Sequence, residues 1–270
     1  MKPCVLVFSG SDPSGGAGIS ADIEAIAAQG AHALAIITAI TVQNNDRVFA
    51  VHPVAAELIL QQAQTLVDKM AISKMSISAI KIGIIASKQN AIALAEWIRN
   101  YKLQYPYLPV ILDPVLASGH GDALAVEDPV EALAPLLKVA TLITPNLPEA
   151  TRLHPKARSP MQQAQFLIDA GATDVLIKGG HGSEDQITNS WFHQDVDDQI
   201  QVRHYQWERL PGTFHGSGCT LASAIAGQLA CGKSMPLALD FAQAYCHLSL
   251  EHAYAICDGQ LIPQRTFTTR

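Results

Sequence analysis

The chain has 270 residues, of which 49% are hydrophobic and 16% are charged, and its formal net charge is −6. This composition supports a folded α/β protein with a sizeable core and excludes an intrinsically disordered chain. The negative charge, with no cluster of Lys and Arg, argues against nucleic-acid binding.

Two apolar runs are compared with the lengths that a signal peptide and a membrane span require. The run Cys4–Phe8 is too short for the hydrophobic region of a signal peptide. The run Ala31–Ile40 contains His32 and Thr38 and is far shorter than a membrane span. Five cysteines without a C-x-x-C pair fit a reducing compartment better than a disulfide framework. We therefore expect a cytoplasmic protein with no membrane partner.

Short apolar runs alternate with helical patterns along the chain, as in a parallel sheet covered by helices on both faces. The predicted strands are Val5–Phe8, Ala33–Ile40, Ala79–Ile82, Val110–Leu112, Thr141–Ile143 and Val175–Lys178, followed by an antiparallel edge pair, Ile187–His193 and Gln199–Trp207. Stripes of apolar residues predict helices around Ile59–Met70 and Ala91–Tyr101, and two final helices are expected over Gly216–Ala230 and Pro236–Ala255. We see no linker or internal repeat, so residues 1–270 are expected to form one domain.

Polar clusters follow six successive predicted strands. Ligands of open α/β sheets bind at the carboxyl ends of the strands, so a shared site is expected there. The clusters are Gly10–Gly18, Gln43–Asp46, Lys81–Gly83, Asp113–Pro114, Thr144–Glu149 and Lys178–His181.

A glycine turn, His215–Thr220, leads directly into a predicted helix. Backbone N–H groups at the start of a helix are unpaired, and the helix dipole there favours negative charge, so this turn is a candidate anion site. Its alternative is a tight loop that merely caps the helix. Cys219 lies in the first turn, where the pKa of a thiol is expected to fall, so it is a candidate base or a structural cysteine. An anion cradle beside an ionisable group suggests phosphoryl transfer.

One motif match is rejected. Gly227–Ser234 fits the P-loop pattern G-x-x-x-x-G-K-[ST], but that loop needs a strand before it. Here Gly227 lies within a predicted helix. Gly232 is expected to follow the end of that helix, and Ser234 to cap the next one.

Several blocks of sequence, in the same order along the chain, resemble the hydroxymethylpyrimidine/phosphomethylpyrimidine kinases. They are Gly10–Ile19 with Asp22, Thr38–Ala39, Gln43–Asn44, Lys81–Gly83, Leu112–Val115, Thr144–Glu149, Lys178–His181 and His215–Thr220. The resemblance implies the ribokinase-like fold, a three-layer sandwich with a mostly parallel central sheet. It implies phosphorylation of the thiamine-pathway pyrimidine, and then of its monophosphate, with ATP and Mg²⁺. It also implies a homodimer.

The resemblance assigns roles to individual residues around the transferred group. Cys219 would take the hydroxymethyl proton, and the backbone of Gly216, Ser217 and Gly218 would hold phosphoryl oxygens. The monoester attacking in a second phosphorylation is already ionised near neutral pH, so that step needs less from a base.

The resemblance also assigns the pyrimidine pocket. Gln43 would read the aminopyrimidine edge, since its amide offers both a donor and an acceptor. By position alone Gln43 is a turn residue in a polar loop. Other pocket positions are Gly10, Ala17, Asp22, Val42 and Ile84; Ile84 stands where family members commonly carry methionine, and an apolar wall survives that change.

Asp113 and Glu149 are candidates for organising Mg²⁺, with Asn146 beside them. Mg²⁺ prefers oxygen ligands and keeps several waters. The structural alternatives are a turn before Pro114 for Asp113 and a first-turn glutamate for Glu149.

Further positions concern the nucleotide and its phosphates. Lys178 resembles the lysine that meets nucleotide phosphates, and His215 and His181 could contact phosphate or be ordinary loop histidines. Gly119-His120 replaces the Lys-Ser or Thr-Ser usual in the family, which puts nucleotide contacts from that loop in doubt.

Two other functions remain open at this stage. The first is a pyridoxal or pyridoxine kinase of the same superfamily. The second is a non-catalytic pyrimidine-binding regulator, which could keep Gln43 but would not need the phosphate loop, Lys178, Glu149 and Cys219 together.

Overall fold

A computed structural model of the chain describes residues 1–119, 121–122, 124–125, 127–180, 182 and 184–267. The strands among these residues are β1 (Cys4–Ser11), β2 (His32–Gln43), β3 (Val48–Pro53), β4 (Ala79–Ile82), β5 (Val110–Leu112), β6 (Leu142–Ile143), β7 (Asp174–Ile177), β8 (Gln186–Gln194) and β9 (Ile200–Glu208). The helices are α1 (Gly18–Ala28), α2 (Ala56–Ile72), α3 (Lys88–Gln104), α4 (Pro129–Leu137), α5 (Leu147–Leu153), α6 (Pro160–Asp169), α7 (Ser217–Ala230) and α8 (Met235–Glu251).

These strands form one sheet in the order β3-β2-β1-β4-β5-β6-β7-β8-β9. The pairs from β2 through β1, β4, β5 and β6 to β7 are parallel. The pairs at the two edges, β2–β3, β7–β8 and β8–β9, are antiparallel. The predicted mostly parallel sheet and its antiparallel edge pair are therefore confirmed.

Helices cover both faces of the sheet and bury two separate cores. In β1, Leu6 and Phe8 pack with α2 to α6 on one face, whereas Val5 and Val7 pack with α1, α7 and α8 on the other. Side chains alternate across a strand, so a strand buried on both faces must be apolar throughout, as β1 is. The predicted three-layer sandwich is confirmed.

Two predicted boundaries are wrong. We expected Gln43 to follow the second strand, but it is the last residue of β2, because the segment Val48–Pro53 folds back as β3 and extends the pairing. The sequence pattern gave no separate strand there. The final helix was predicted to reach Ala255 and ends at Glu251, after which Tyr254 forms a bridge with Ile262.

The rejection of the P-loop is supported by the local structure. Gly227 is buried inside α7, and a β-carbon on it would lie 2.8 Å from Gln29 Cβ. Gly232 follows the helix end at φ 82°, a left-handed conformation that favours glycine. Ser234 is the N-cap of α8.

Candidate active site

The carboxyl ends of the parallel strands gather the predicted polar clusters at one edge of the sheet. The N-terminus of α7 is aimed at the same edge. It lies beside Lys178, which follows β7, and Asp113, which follows β5: a β-carbon on Gly218 would lie 3.0 Å from Lys178 Nζ and 3.6 Å from Asp113 Oδ2. The structure therefore brings together three parts of the chain that are far apart in sequence.

Gly216 is the N-cap of α7 and has φ 82°, which strongly favours glycine. A β-carbon there would lie 2.1 Å from the carbonyl oxygen of Gly16 in the loop after β1. No side chain caps the helix, so its first amide groups stay available to a ligand. The turn at Gly216 and the β1 loop are thus in direct contact.

Asp12 and His215 join these two loops. Asp12 Oδ2 accepts hydrogen bonds from His215 Nε2 at 2.8 Å and from Ala17 N at 2.8 Å, while its Oδ1 accepts from Ser14. Burial alone would raise the pKa of Asp12, but the hydrogen bonds from His215 and Ser14 outweigh it and lower the pKa to about 2. His215 therefore has a structural partner in this arrangement. Sequence reasoning missed Asp12, although it lies within the quoted loop Gly10–Gly18.

Lys178 and Asp113 form a nearly buried ion pair beside the turn. Lys178 Nζ lies 2.9 Å from Asp113 Oδ1, which also accepts from Thr144 at 3.2 Å. Burial would lower the pKa of Lys178, but the charges of Asp113 and Glu149 raise it, so the ammonium group persists. Lys178 is therefore a fixed positive charge at the mouth of α7.

Asn146 and Glu149 form a reciprocal capping box at the start of α5. Asn146 Oδ1 accepts from Glu149 N, and Glu149 Oε2 accepts from Asn146 N, both at 2.8 Å. Burial raises the pKa of Glu149 to about 7; Lys178 opposes the shift and Asp113 adds to it. Glu149 is thus a first-turn glutamate, which is the structural alternative considered for it. Its carboxyl group also has a pKa close to neutral pH.

We expect Glu149→Gln to raise the melting temperature of the free protein more at pH 8 than at pH 5. In the unfolded chain a glutamate has a pKa near ~4.3, and in the folded chain about 7. The folded state of the parent protein is therefore destabilised as pH rises from about 4.3 to about 7, because the buried Glu149 must ionise. Glutamine does not ionise, so the variant keeps its stability over the same pH range. Each kcal/mol regained would raise the melting temperature by roughly 2–4 °C.

The measurement is thermal unfolding at both pH values without nucleotide or divalent cation. Glu131→Gln serves as the control because Glu131 is exposed in α4 and pairs loosely with Lys88 at 3.4 Å. An equal shift for Glu149→Gln at pH 5 and pH 8 would contradict the assignment.

A second ion pair, Lys81–Asp22, lies wholly beneath the site. Both side chains are fully buried, Lys81 Nζ lies 2.7 Å from Asp22 Oδ1, and that oxygen also accepts from Ser223 at 2.6 Å. Burial would lower the pKa of Lys81, but the charges of Asp22, Cys219 and Asp113 raise it. Asp22 was assigned to the pyrimidine pocket; its side chain has no exposed surface and one of its oxygens is bound to Lys81 and Ser223, so Asp22 stays a predicted pocket residue that does not face solvent.

Sequence reasoning quoted Lys81 only as part of a strand-end motif. The sequence signal that could have revealed the ion pair is a lysine within an otherwise apolar strand, because a buried lysine nearly always has a charged partner.

The predicted lowering of the Cys219 pKa is wrong for the free protein. Burial raises the pKa of the thiol to about 11, although Lys81 and a hydrogen bond from Gly18 favour the thiolate. Loss of hydration, to which the charges of Asp22 and Asp113 add, outweighs the effect of Lys81 and of the hydrogen bond from Gly18. Cys219 is a neutral thiol at neutral pH.

The residues predicted to line a pyrimidine pocket are contributed by β1, β2, α1 and the loops after β1 and β4. Gly10 packs beside Ile84, whose side chain would lie 3.7 Å from a β-carbon on Gly10, and the Ile84 carbonyl accepts from Thr38. Ala17 is partly exposed at the end of the β1 loop, and Val42 is half-exposed beside Gln43.

Gln43 Nε2 lies 3.5 Å from His215 Nε2. His215 Nε2 must carry a proton to donate to the Asp12 carboxylate. A protonated ring nitrogen has no free lone pair, so it cannot also accept a hydrogen bond from the Gln43 amide. The Gln43 amide therefore remains available to a ligand.

The loop in which Gly119-His120 departs from the family pattern is hydrogen-bonded to the start of β3 through Asp122. Asp122 accepts two hydrogen bonds from Arg47 Nε and NH2, at 3.0 and 2.5 Å, and one from Val48 N. Hydrogen bonds from Arg47 and Val48 lower the pKa of Asp122. His120 and His181 lie outside the described residues.

Among the residues that the structure describes, no group of three or more His, Cys, Asp and Glu side chains forms a metal cage. None of the described helices combines the length and apolar character that crossing a bilayer requires.

The family model for phosphomethylpyrimidine kinase matches residues 12–263 of the chain. The chain belongs to this family. The kinase is 34% identical to the hydroxymethylpyrimidine/phosphomethylpyrimidine kinase of Rhizobium meliloti, over 96% of the chain and 95% of that protein. It is therefore a phosphotransferase.

Solved structures agree with the ribokinase-like fold. A phosphomethylpyrimidine kinase from Clostridium difficile superposes with a TM-score of 0.73 at 29% identity, covering 91% of the kinase and 98% of that chain. The pyridoxal kinase of Staphylococcus aureus, solved with AMP-PCP and pyridoxal, superposes with a TM-score of 0.80 at 26% identity, covering 98% and 94%.

Proposed function

We propose that the kinase transfers the γ-phosphoryl group of ATP to 4-amino-5-hydroxymethyl-2-methylpyrimidine, and then phosphorylates the monophosphate to the diphosphate for thiamine diphosphate synthesis. One observation carries this proposal: the open amide groups at the start of α7 face Lys178 and Asp113, at the edge where Gln43 also ends β2. Phosphoryl transfer depends mainly on positioning and on stabilising charge, and this arrangement supplies both.

Each residue has a role in this proposal. The N–H groups of Gly216, Ser217, Gly218 and Cys219 hold the oxygens of the transferred group, and Lys178 adds a positive charge. Gln43 reads the amino group and ring nitrogen of the pyrimidine, between the walls formed by Gly10, Ala17, Val42 and Ile84. Cys219 accepts the hydroxymethyl proton in its thiolate form, which first requires loss of the thiol proton, and the charge of Lys81 favours that ionisation.

Mg²⁺ fits the donors present. Asp113 and Glu149 are neighbouring carboxyl groups whose charges disfavour each other, and a cation between them would relieve that cost. Asn146 is adjacent through the capping box. Oxygen ligands suit Mg²⁺, which supplies charge neutralisation for the nucleotide phosphates when bound.

We further propose a single domain over residues 1–270, a cytoplasmic location and a homodimer, as in the family. The test of the dimer is the mass of the purified protein in solution, and a monomer at micromolar concentration would contradict it.

Product analysis tests the main proposal. The kinase is incubated with ATP, Mg²⁺ and hydroxymethylpyrimidine, and products are separated as alcohol, monophosphate and diphosphate. We expect the diphosphate to accumulate. Monophosphate alone would remove the second step, and no phosphorylated pyrimidine would remove the substrate assignment.

Pyridoxal phosphorylation is the second candidate, favoured by the close fold of the S. aureus enzyme. A parallel assay with pyridoxal under the same conditions distinguishes the two. We expect kcat/KM to favour the aminopyrimidine, because the available Gln43 amide matches its paired donor and acceptor. A preference for pyridoxal would reverse the assignment.

We expect Gln43→Leu to weaken hydroxymethylpyrimidine binding by about 10–100-fold, since the polar edge of the ring would be left unpaired in the pocket. The KM for ATP should change little. Calorimetric titration measures the affinity, and Gln61→Leu at an exposed position of α2 is the control. Unchanged affinity in Gln43→Leu would discard the contact.

A further inference from the structure

Arg265 is a fully buried arginine in the segment after α8, and the sequence analysis did not single it out. We propose that Arg265 is a positioning residue for phosphoryl transfer, holding the β1 loop and the first turn of α7 in their relative places. This inference rests on the proposed function of the α7 turn.

The guanidinium group joins the two loops through hydrogen bonds of its own. Its NH2 donates to the carbonyl of Gly16, and its NH1 lies 3.5 Å from the carbonyl of Gly15. Its Nε donates to Thr220 Oγ1 at 2.8 Å. NH1 also pairs with the half-exposed carboxylate of Glu24 at 3.3 Å. A buried guanidinium is tolerated only when its donors are satisfied, and these acceptors come mainly from the two loops.

The contact with Thr220 extends to the anion-binding turn. The Thr220 hydroxyl donates to the carbonyl of Gly216 at 2.8 Å, and Thr220 N donates to the same oxygen at 2.9 Å. A peptide unit is planar and trans, so fixing the Gly216 carbonyl also fixes the N–H of Ser217, which points the opposite way and out of the helix. Arg265 thereby orients a group proposed to hold the transferred phosphoryl oxygens.

The Arg265 guanidinium also donates to the carbonyl oxygens of Gly15 and Gly16. A carbonyl oxygen turned toward a phosphoryl group would repel it, and these two are held by the guanidinium instead. A lysine could replace the charge but not the planar fork that reaches Gly16 and Thr220 together.

Neighbouring residues hold Arg265 in place. Its carbonyl accepts from the Tyr245 hydroxyl at 2.8 Å, and Leu261 pairs with Phe214 just before the turn. Earlier in the same segment, Asn45 Nδ2 donates to the carbonyl of Gln260 at 3.1 Å. One continuous segment therefore contacts the region after Gln43, the α7 turn and the β1 loop.

The first test compares Arg265→Met, Arg265→Lys and Thr220→Val with the control Gln264→Ala, whose amide donates to Thr266 rather than to either loop. We expect kcat to fall about 100-fold in Arg265→Met, the loss typical of a misplaced catalytic geometry. Arg265→Lys and Thr220→Val should lose roughly tenfold. The pyrimidine affinity should fall less than kcat in every variant, since a positioning residue acts mainly on turnover.

The second test does not depend on the substrate. Hydrogen exchange followed by mass spectrometry should show faster exchange in peptides 12–18 and 213–220 of Arg265→Met, and unchanged exchange in the β8–β9 hairpin. A folded Arg265→Met with unaltered exchange and kcat within threefold of the parent would overturn the inference. Should that variant fail to fold, Arg265→Lys and Thr220→Val decide by the same criteria. Failure of the parent enzyme to phosphorylate the pyrimidine would instead refute the proposed function, while exchange would still decide the role of Arg265.

Discussion

Replacing Cys219 by alanine is expected to slow the first phosphorylation by roughly 10²–10³-fold and the second by less than tenfold, within the range that a general base contributes. The alcohol of the first step must lose a proton, whereas the monoester of the second step is already ionised near neutral pH. The two steps therefore differ in their need for a base at the same position.

The raised pKa of Cys219 gives this prediction a pH signature. With a pKa of about 11, the thiol ionises further as pH rises. The kcat/KM of the first step should therefore increase with pH between 7 and 9, and this increase should be absent in Cys219→Ala. The second step should lack the rise in both proteins.

Both steps are measured separately, with the alcohol and with the monophosphate as substrates. Cys231→Ala is the control, since Cys231 lies at the opposite end of α7 and is exposed. Near-normal turnover of the alcohol by Cys219→Ala would remove the base assignment. Equal losses in both steps would indicate that the thiol acts through the shape of the turn.

Lys81→Met is expected to lower the free energy of unfolding by about 3–5 kcal/mol, as breaking one side of a buried ion pair typically does. The substitution removes the cation that pairs with the fully buried Asp22 carboxyl and leaves that oxygen with the Ser223 hydroxyl as a donor. Asp22→Asn combined with Lys81→Met should regain most of that stability, because the double variant has no unpaired charge.

Activity should respond differently from stability. The double variant should remain slow in the first phosphorylation, since the positive charge beneath Cys219 is gone. Urea unfolding and steady-state kinetics measure the two properties. Lys88→Met is the control: its pair with Glu131 is exposed, and such pairs contribute about 0–1 kcal/mol. A loss of stability in Lys81→Met no larger than in Lys88→Met would contradict the assignment.

The fold was largely predictable because its strands are buried on both faces. Continuous apolar runs such as Ala79–Ile82 and Val110–Leu112 mark strands regardless of their neighbours, and both match the structure residue for residue. β3 was missed because it is an edge strand that forms by pairing with β2. The local sequence of residues 48–53 does not show that this pairing occurs.

The site was predictable where geometry follows from topology. Residues after parallel strands must meet at one edge, which is why Asp113 and Lys178 could be placed near the α7 turn from their positions along the chain. The position of Glu149 in the first turn of a helix was also foreseen as a structural alternative, whereas its capping box with Asn146 was not.

Sequence alone therefore determined the layered architecture, the edge that holds the site and the turn that begins α7. Tertiary structure decided the ionisation of that site through the desolvation of Cys219 and the pairing of Lys81 with Asp22, and it decided the anchoring of both loops by Arg265. Strand and helix patterns arise from neighbours within a few residues, whereas hydration and charge pairing depend on groups brought together from distant parts of the chain. For that reason the helix start at Cys219 suggested a lowered pKa, and burial among distant residues raised it instead.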